Sequence, residues 1–258
     1  MYKRQGLQHE DGHSHILAST IPNCIPYDPT FAHEVAVIMH DGLKRMIENQ
    51  EDVFYYITLM NENYAQPGLK PGQEEGILKG LYLLQEGAKK AKNRVQLMGS
   101  GTILREVIAA ADLLKDDWGV TADVWSAPSF TLLARDGQDV ERWNMLHPTD
   151  KPRQAHITSS LQGTAGPIVV ATDYMRTFAE QVRAFVPKDR TYKVLGTDGF
   201  GRSDSRAKLR EFFEVNRYFV TVAALKALAD EGAIATSVVA DAIKKYGINP
   251  EKVNPVTL

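Results

Sequence analysis

From residue 95 onward the chain alternates short β-branched runs with longer amphipathic stretches, and this alternation constrains the fold more than any other feature. Residues 95–98, 122–125, 167–172 and 192–196 have the β-branched and aromatic content of strands. Helical spacing of apolar residues runs through 102–117, 129–135, 141–146, 173–186, 205–213, 218–231 and 237–246. Connections of a dozen or more residues permit parallel strand pairing, and a parallel sheet must be covered on both faces. The expected architecture is therefore α/β: a mainly parallel sheet with helices on both faces, large enough to fold as its own unit.

The first sixty residues follow a different pattern. Residues 1–29 carry Pro22, Pro26 and Pro29 with few periodic apolar positions, which predicts a long irregular opening unable to found a fold by itself. Phe31, Val35, Ile38, Met39, Leu43 and Met46 then recur at helical spacing, and 53–58 (VFYYIT) reads as a strand. Loop, helix and strand make up about a third of an ordinary α/β domain. The segment is expected to be the tail of a second α/β domain whose beginning is missing. Residues 61–76, with two prolines and three glycines among polar residues, suit a connection. An amphipathic helix over 75–86 and a lysine-rich turn (KKAKN) are expected to follow.

Composition excludes several classes of protein. Thirty basic against thirty-two acidic residues leave a net charge of −2, so nothing draws the whole chain to nucleic acid or to an anionic membrane. The single cysteine, Cys24, cannot form an internal disulfide, fits a reducing compartment, and reads as a small buried hydrophobe. No apolar run is long enough to span a bilayer and the first residues do not read as a signal peptide, which leads to the expectation of a cytoplasmic protein.

Several motifs could carry chemistry. GSGTILREV (99–107) follows a strand and opens a helix, as phosphate-cradling turns do, but Leu104 stands where a third glycine would be. It reads as a tight helix-opening turn. Arg135, Asp136 and Asp139 could form a paired-carboxylate site, although capping and surface ion pairs explain them as well. GTDGFGRSDSR (196–206) directly follows a strand, where α/β proteins place ligand loops, and functional, subunit-contact and structural readings stay open. His33, His40, His147 and His156 share no spacing.

The densest group is the loop GLQHEDGHSH (6–15). Within seven residues it holds His9, Glu10, Asp11, His13 and His15. His9 to His13 satisfies H-E-x-x-H, but a zinc protease needs that pattern on a helix, and Gly12, Ser14 and the nearby prolines argue against one. Three imidazoles beside two carboxylates suit proton handling near neutral pH better.

GLQHEDGHSHIL, TIPNCIPYDPTFAHEVAVIMHDGLKRM, LMNENY, MGSGTILREV, SFTLLARDGQDVERWNMLHP, ATDYMRTFAEQVRAFVP and GTDGFGRSDSRAKLREFFEV together resemble the C-terminal part of the bacterial homodimeric pyruvate dehydrogenase decarboxylating component, of the transketolase superfamily. The resemblance spans 6–258 and rests on long shared stretches. It implies a division into a foreign start at 1–5, the end of a pyrimidine-binding domain at 6–63, a linker with an amphipathic helix at 64–90, and a transketolase-like C-terminal domain at 91–258. It also implies thiamine diphosphate and Mg2+ as cofactors, bound mainly by domains absent from this chain, so that no cofactor or metal ligand is expected here. The family's active-site histidine falls on His9, and the related transketolase segment places a second candidate at His15. Gln5 stands where the family usually has glutamate, within the MYKRQ start that does not fit. The implied partners are a second copy of the chain and a lipoyl-bearing dihydrolipoyl acetyltransferase, with no nucleic acid or membrane. The competing reading is a stand-alone dimerisation or partner-binding module that keeps the fold without catalysis.

Overall fold

The computed structural model describes residues 11–258. Their elements run α1 (Ser14–Ser19), β1 (Cys24–Tyr27), α2 (Ala32–Leu43), β2 (Phe54–Ile57), α3 (Glu74–Lys79), β3 (Tyr82–Gln85), β4 (Arg94–Gly99), α4 (Leu104–Trp118), β5 (Thr121–Ser126), α5 (Phe130–Leu146), α6 (His156–Leu161), β6 (Ile168–Ala171), α7 (Arg176–Glu180), β7 (Tyr192–Leu195), α8 (Arg206–Phe212), α9 (Arg217–Asp230) and α10 (Thr236–Lys245). A π turn, Lys44–Glu48, continues α2.

Two sheets result. The larger has the order β3-β5-β4-β6-β7, with β4, β5, β6 and β7 parallel and β3 antiparallel at one edge. Alternate residues of its central strands feed opposite cores, as the period of two requires. Val95, Leu97, Val169 and Ala171 pack with Leu104, Val107 and Leu114 of α4 and with Ala224 and Leu228 of α9. Met98, Ile168 and Val170 pack with Phe130 and Leu133 of α5, Ile157 of α6 and Phe178 of α7. Helices thus cover both faces, and the expected α/β architecture is what forms. The smaller sheet is the parallel pair β1-β2.

Four local expectations are corrected. The opening is not irregular throughout: α1 and the fully buried strand β1 lie within it, with Pro26 tolerated because β1 has one ladder partner among the described residues, β2. The helix expected over 75–86 stops at Lys79, because Gly80 turns left-handed (φ 92°) and the chain reverses into β3. There Tyr82 and Leu84 point inward while Leu83 and Gln85 are exposed, a strand period that the apolar content had disguised. The stretches 129–135 and 141–146 form one continuous α5, capped by the Ser129 hydroxyl accepting from the Leu132 amide. Gly137 sits inside it because the Phe185 ring packs where a side chain would be. The region 173–186 is helical only over α7 and a short 3-10 turn, and α6 was not anticipated.

Candidate active site at the sheet switch point

In the larger sheet β4 has β5 on one side and β6 on the other, and the helices that follow β4 and β5 lie on opposite faces. Connections leaving in opposite directions open a crevice at the carboxyl ends of β4 and β6, where doubly wound proteins bind ligands. Here Asp28, from the turn after β1, fills that crevice. Its carboxylate accepts from Ser100 Oγ (2.8 Å) and Thr58 Oγ1 (2.8 Å), its carbonyl accepts from the Gly101 amide (2.9 Å), and Thr30 Oγ1 donates to the Gly101 carbonyl (2.7 Å). The GSGTILREV turn is therefore a dock for the preceding segment. A phosphate there would meet a carboxylate.

Burial pushes the Asp28 carboxyl up to about 7 although hydrogen bonds from Ser100 and Thr58 oppose it. Thr58 also reaches His15, whose Nε2 lies 2.9 Å from Thr58 Oγ1. With the Thr58 hydroxyl donating to Asp28, the His15 Nε2 carries the hydrogen. His15 is fully buried among the rings of Tyr56, Tyr174 and Phe178, its Nδ1 has no partner among the described residues, and burial drives it down to about 4. It is a neutral core imidazole whose ring is closed off from solvent.

On the other side of the same loop lies a cavity of about 210 Å3, lined by Asp11, His13, Asp173, Arg202, Arg210 and Phe213 among others. Asp11 caps α1, accepting from the His13 and Ser14 amides (3.0 and 2.9 Å) and from the Ser14 hydroxyl. Burial raises its carboxyl, but those hydrogen bonds outweigh burial and hold it below its ordinary value. The loop is pinned to the start of α7, where the Met175 amide donates to the Gly12 carbonyl (3.0 Å). From the loop after β7 come Thr197, Gly199 and Gly201, so GTDGFGRSDSR faces the histidine loop across the cavity. His9 and Gln5 lie outside the described residues. Among the described residues no group of three His, Cys, Asp or Glu side chains could hold a metal ion.

Of the remaining side chains, Arg135, Glu34 and His33 join the smaller sheet's segment to the larger. Arg135 donates to the carbonyls of Cys24 (2.7 Å), Ser19 (3.2 Å) and Ile21 (2.9 Å), while Asp136 accepts from the His156 amide and Asp139 is exposed. Fully buried Glu34 accepts from Tyr82 Oη (2.7 Å), Ser126 Oγ (2.5 Å) and the amides of Thr30 and Phe31. His33 Nε2 meets Tyr82 Oη at 3.1 Å and His147 stacks on Trp143. Residue-by-residue reading missed His13 as a cavity residue distinct from His15, and it missed Asp173 altogether. The position of Asp173 just past a buried run, IVVA, was the available signal.

Two family models match the chain: the pyruvate dehydrogenase E1 component middle domain over residues 1–67, and the transketolase-like C-terminal domain over 80–216. Pyruvate dehydrogenase E1 components are similar over nearly the whole chain. That of Cupriavidus necator is 62% identical over 255 residues (98% of this chain), that of Pseudomonas aeruginosa 64% over 252 (98%), and that of Escherichia coli 60% over 252 (97%). The chain spans 28% of the length of each. Among solved structures, a Pichia stipitis transketolase mutant matches with TM-score 0.59 at 18% identity, covering 87% of this chain and 28% of that one. Campylobacter jejuni transketolase matches with TM-score 0.59 at 18% identity (86% and 29%). A split-gene transketolase matches with TM-score 0.55 at 16% identity (87% and 64%).

Proposed function

This chain belongs to the transketolase-like C-terminal domain family and matches the C-terminal part of bacterial pyruvate dehydrogenase E1 components, and from that premise we propose that it forms part of an enzyme that decarboxylates pyruvate and passes the acetyl unit to a lipoyl group. The observation that carries this reading is identity of 60–64% to three E1 components across 97–98% of the chain. In our reading 6–63 ends a pyrimidine-binding domain, 64–90 connects, and 91–258 is the C-terminal domain. The functional unit is a cytoplasmic homodimer working with a lipoyl-bearing acetyltransferase. No helix among the described residues is long and apolar enough to cross a membrane.

Thiamine diphosphate with Mg2+ would supply the carbon–carbon cleavage chemistry. The described residues do not fit a site for it: no carboxylate cluster could take Mg2+, and the Ser100–Thr102 turn is already filled by Asp28. We therefore assign cofactor binding to domains outside this chain and expect the chain alone to be inactive. Its own contribution is the histidine loop. His9 is proposed to hold or move a proton at bound pyruvate or the acetyl unit. His13, four residues further along, lines the cavity. His15 was the second candidate, and its buried ring supports a role in bracing the loop from behind rather than in touching substrate.

In the full-length enzyme, His9→Ala is expected to lower pyruvate-dependent acetylation of lipoyl groups by about 100-fold, the scale of lost acid–base help. An unchanged rate would remove His9 from the mechanism. Calorimetric titration of this chain with thiamine diphosphate and Mg2+ should give no measurable heat of binding, and tight stoichiometric binding would refute the assignment of cofactor contacts to other domains.

A further inference from the structure

The histidine loop runs into a helix too short to hold its own place. α1 has six residues, and a helix of that length is not stable in water by itself. Two of its side chains are buried, His15 and Ala18. Loop and helix form one piece, because the Asp11 carboxylate caps the Ser14 amide and the His13 carbonyl accepts from the Ile16 and Leu17 amides. Arg135 holds the far end through the Ser19 and Ile21 carbonyls. At the near end the anchors are the backbone bond from Met175 to Gly12 and the His15 ring, whose one side-chain hydrogen bond among the described residues runs to Thr58.

Thr58 directly follows β2 and meets three groups. Its hydroxyl oxygen lies 2.8 Å from Asp28 Oδ1, 3.4 Å from the Tyr27 carbonyl and 2.9 Å from His15 Nε2. A carboxylate and a carbonyl only accept, so the single hydroxyl proton points to the turn after β1 and the oxygen accepts from His15. Asp28 is fixed in its turn. Ser100 Oγ donates to its other oxygen (2.8 Å), the Gly101 amide donates to its carbonyl, and a Cβ added at Gly101 would lie 2.5 Å from Asp28 Oδ2. Resting on the reading of the histidine loop as part of a pyruvate-handling site, we propose that Thr58 is a positioning residue for that reaction. It passes the fixed orientation of Asp28 to His15, locks the imidazole as its Nε2–H tautomer, and so sets where the loop bearing Asp11 and His13 stands at the cavity.

The surroundings of His15 leave it no substitute for Thr58. Its ring is enclosed by Tyr56, Tyr174 and Phe178, and no second acceptor meets Nε2 among the described residues. Removing the Thr58 hydroxyl leaves an unpaired N–H in a dry pocket, which costs more than the bond itself contributed. The ring then turns, or its proton passes to Nδ1. Either change shifts the first turn of α1 and the loop fused to it. A small displacement of a positioned reacting group lowers the rate of the chemical step far more than it weakens substrate binding.

The test combines steady-state acetylation of lipoyl groups by the full-length enzyme carrying this sequence with imidazole nitrogen NMR of this chain. Both are run at about pH 8, above the value of about 7 to which burial lifts Asp28. Thr58→Val keeps the shape and removes the hydroxyl, so kcat is expected to fall about tenfold or more with KM for pyruvate changed by less than about twofold. Thr58→Ser returns the hydroxyl and should recover kcat to within about threefold of wild type. In wild type and Thr58→Ser the His15 signal, identified by its loss in His15→Gln, should report a neutral ring protonated at Nε2, and Thr58→Val should lose that pattern. A Thr58 that only stabilises the fold would lower the unfolding temperature in Thr58→Val and leave kcat and tautomer as they are. The proposal is overturned by a wild-type kcat in a folded Thr58→Val, by a Thr58→Ser as slow as Thr58→Val, or by a wild-type His15 protonated at Nδ1. Should Thr58→Val fail to fold, the wild-type tautomer and the Thr58→Ser rate decide. Should wild type not turn over pyruvate, the functional reading fails separately; the tautomer and the amide shifts of Asp11 and His13 in Thr58→Val would still decide whether Thr58 sets the loop, and unmoved amides would end it.

Discussion

The two sheets of this chain are stabilised in different ways. The larger is buried on both faces and closed by α4, α9 and α10 on one side and by α5, α6 and α7 on the other. The smaller has two parallel strands of four residues, an arrangement that does not persist alone in water. Along its outer helix Met39, Leu43 and Ile47 make an exposed apolar stripe, joined by exposed Phe54 and Leu59. Only its seam with the larger sheet is well satisfied, through Glu34, Asp28 and Arg135. The difference teaches that the first unit has no core of its own: Ile25, Tyr27, Phe31 and Ile38 are buried by joining the core of the larger sheet, and polar clamps pin that seam.

The largest test of that contrast is Glu34→Ala. It would leave the Tyr82 and Ser126 hydroxyls and the Thr30 and Phe31 amides without their shared acceptor in a dry interior. A loss of about 3–5 kcal/mol is expected, the cost of leaving four buried donors without an acceptor. Hydrogen exchange should show β1 and β2 opening while β4 and β6 keep their protection. Equal loss of protection in both sheets would show one cooperative unit and end the distinction.

How much of this was legible in the sequence differs between the units for a physical reason. β6 announces itself because a continuous β-branched run, IVVA, has few uses other than a strand buried on both faces, and β4, β5 and β7 recur around it at βαβ spacing. β1 did not, since CIPY is short, contains proline, and owes its burial to Ser129 and Arg135, more than a hundred residues away. β3 was hidden by leucines that suit a helix equally well until Gly80 breaks it. Within the site, the density of His9–His15 marked the loop, but no local pattern could show that Gly12 meets Met175, or that His13 and His15 face opposite sides of one backbone. Long-range contacts of that kind are set by topology.

A middle-sized test concerns the proton balance of the seam. Asp28 is raised from 3.8 to about 7 and His15 lowered from 6.5 to about 4, both chiefly by burial. For Asp28 the folded value lies above the unfolded one, so its contribution is complete below about 4 and is lost as pH rises through about 7. For His15 the folded value lies below the unfolded one, so its contribution is present above about 6.5 and is lost as pH falls through about 4. Between those limits the slopes oppose each other and the pair leaves stability nearly level. Asp28→Asn should expose the histidine slope, with stability falling on acidification, and His15→Gln should expose the opposite one. Urea unfolding at a series of pH values measures both. Curves parallel to wild type for the two variants would mean that neither group is buried as described.

The smallest expected effect bears on the exposed side of the first unit. Ile47 is 62% exposed on the π turn, so Ile47→Gln removes apolar surface that packs against little and should change stability by less than about 0.5 kcal/mol. Its effect should appear in association instead, because Met39, Leu43 and Ile47 together form an apolar stripe that water disfavours and another surface can cover. Sedimentation of the chain over a range of concentrations should show weaker self-association for Ile47→Gln than for wild type. An unaltered concentration dependence would show that the stripe takes no part in association, whereas a stability loss well above that bound would show that Ile47 is packed, and that the first unit has more core than its surface suggests.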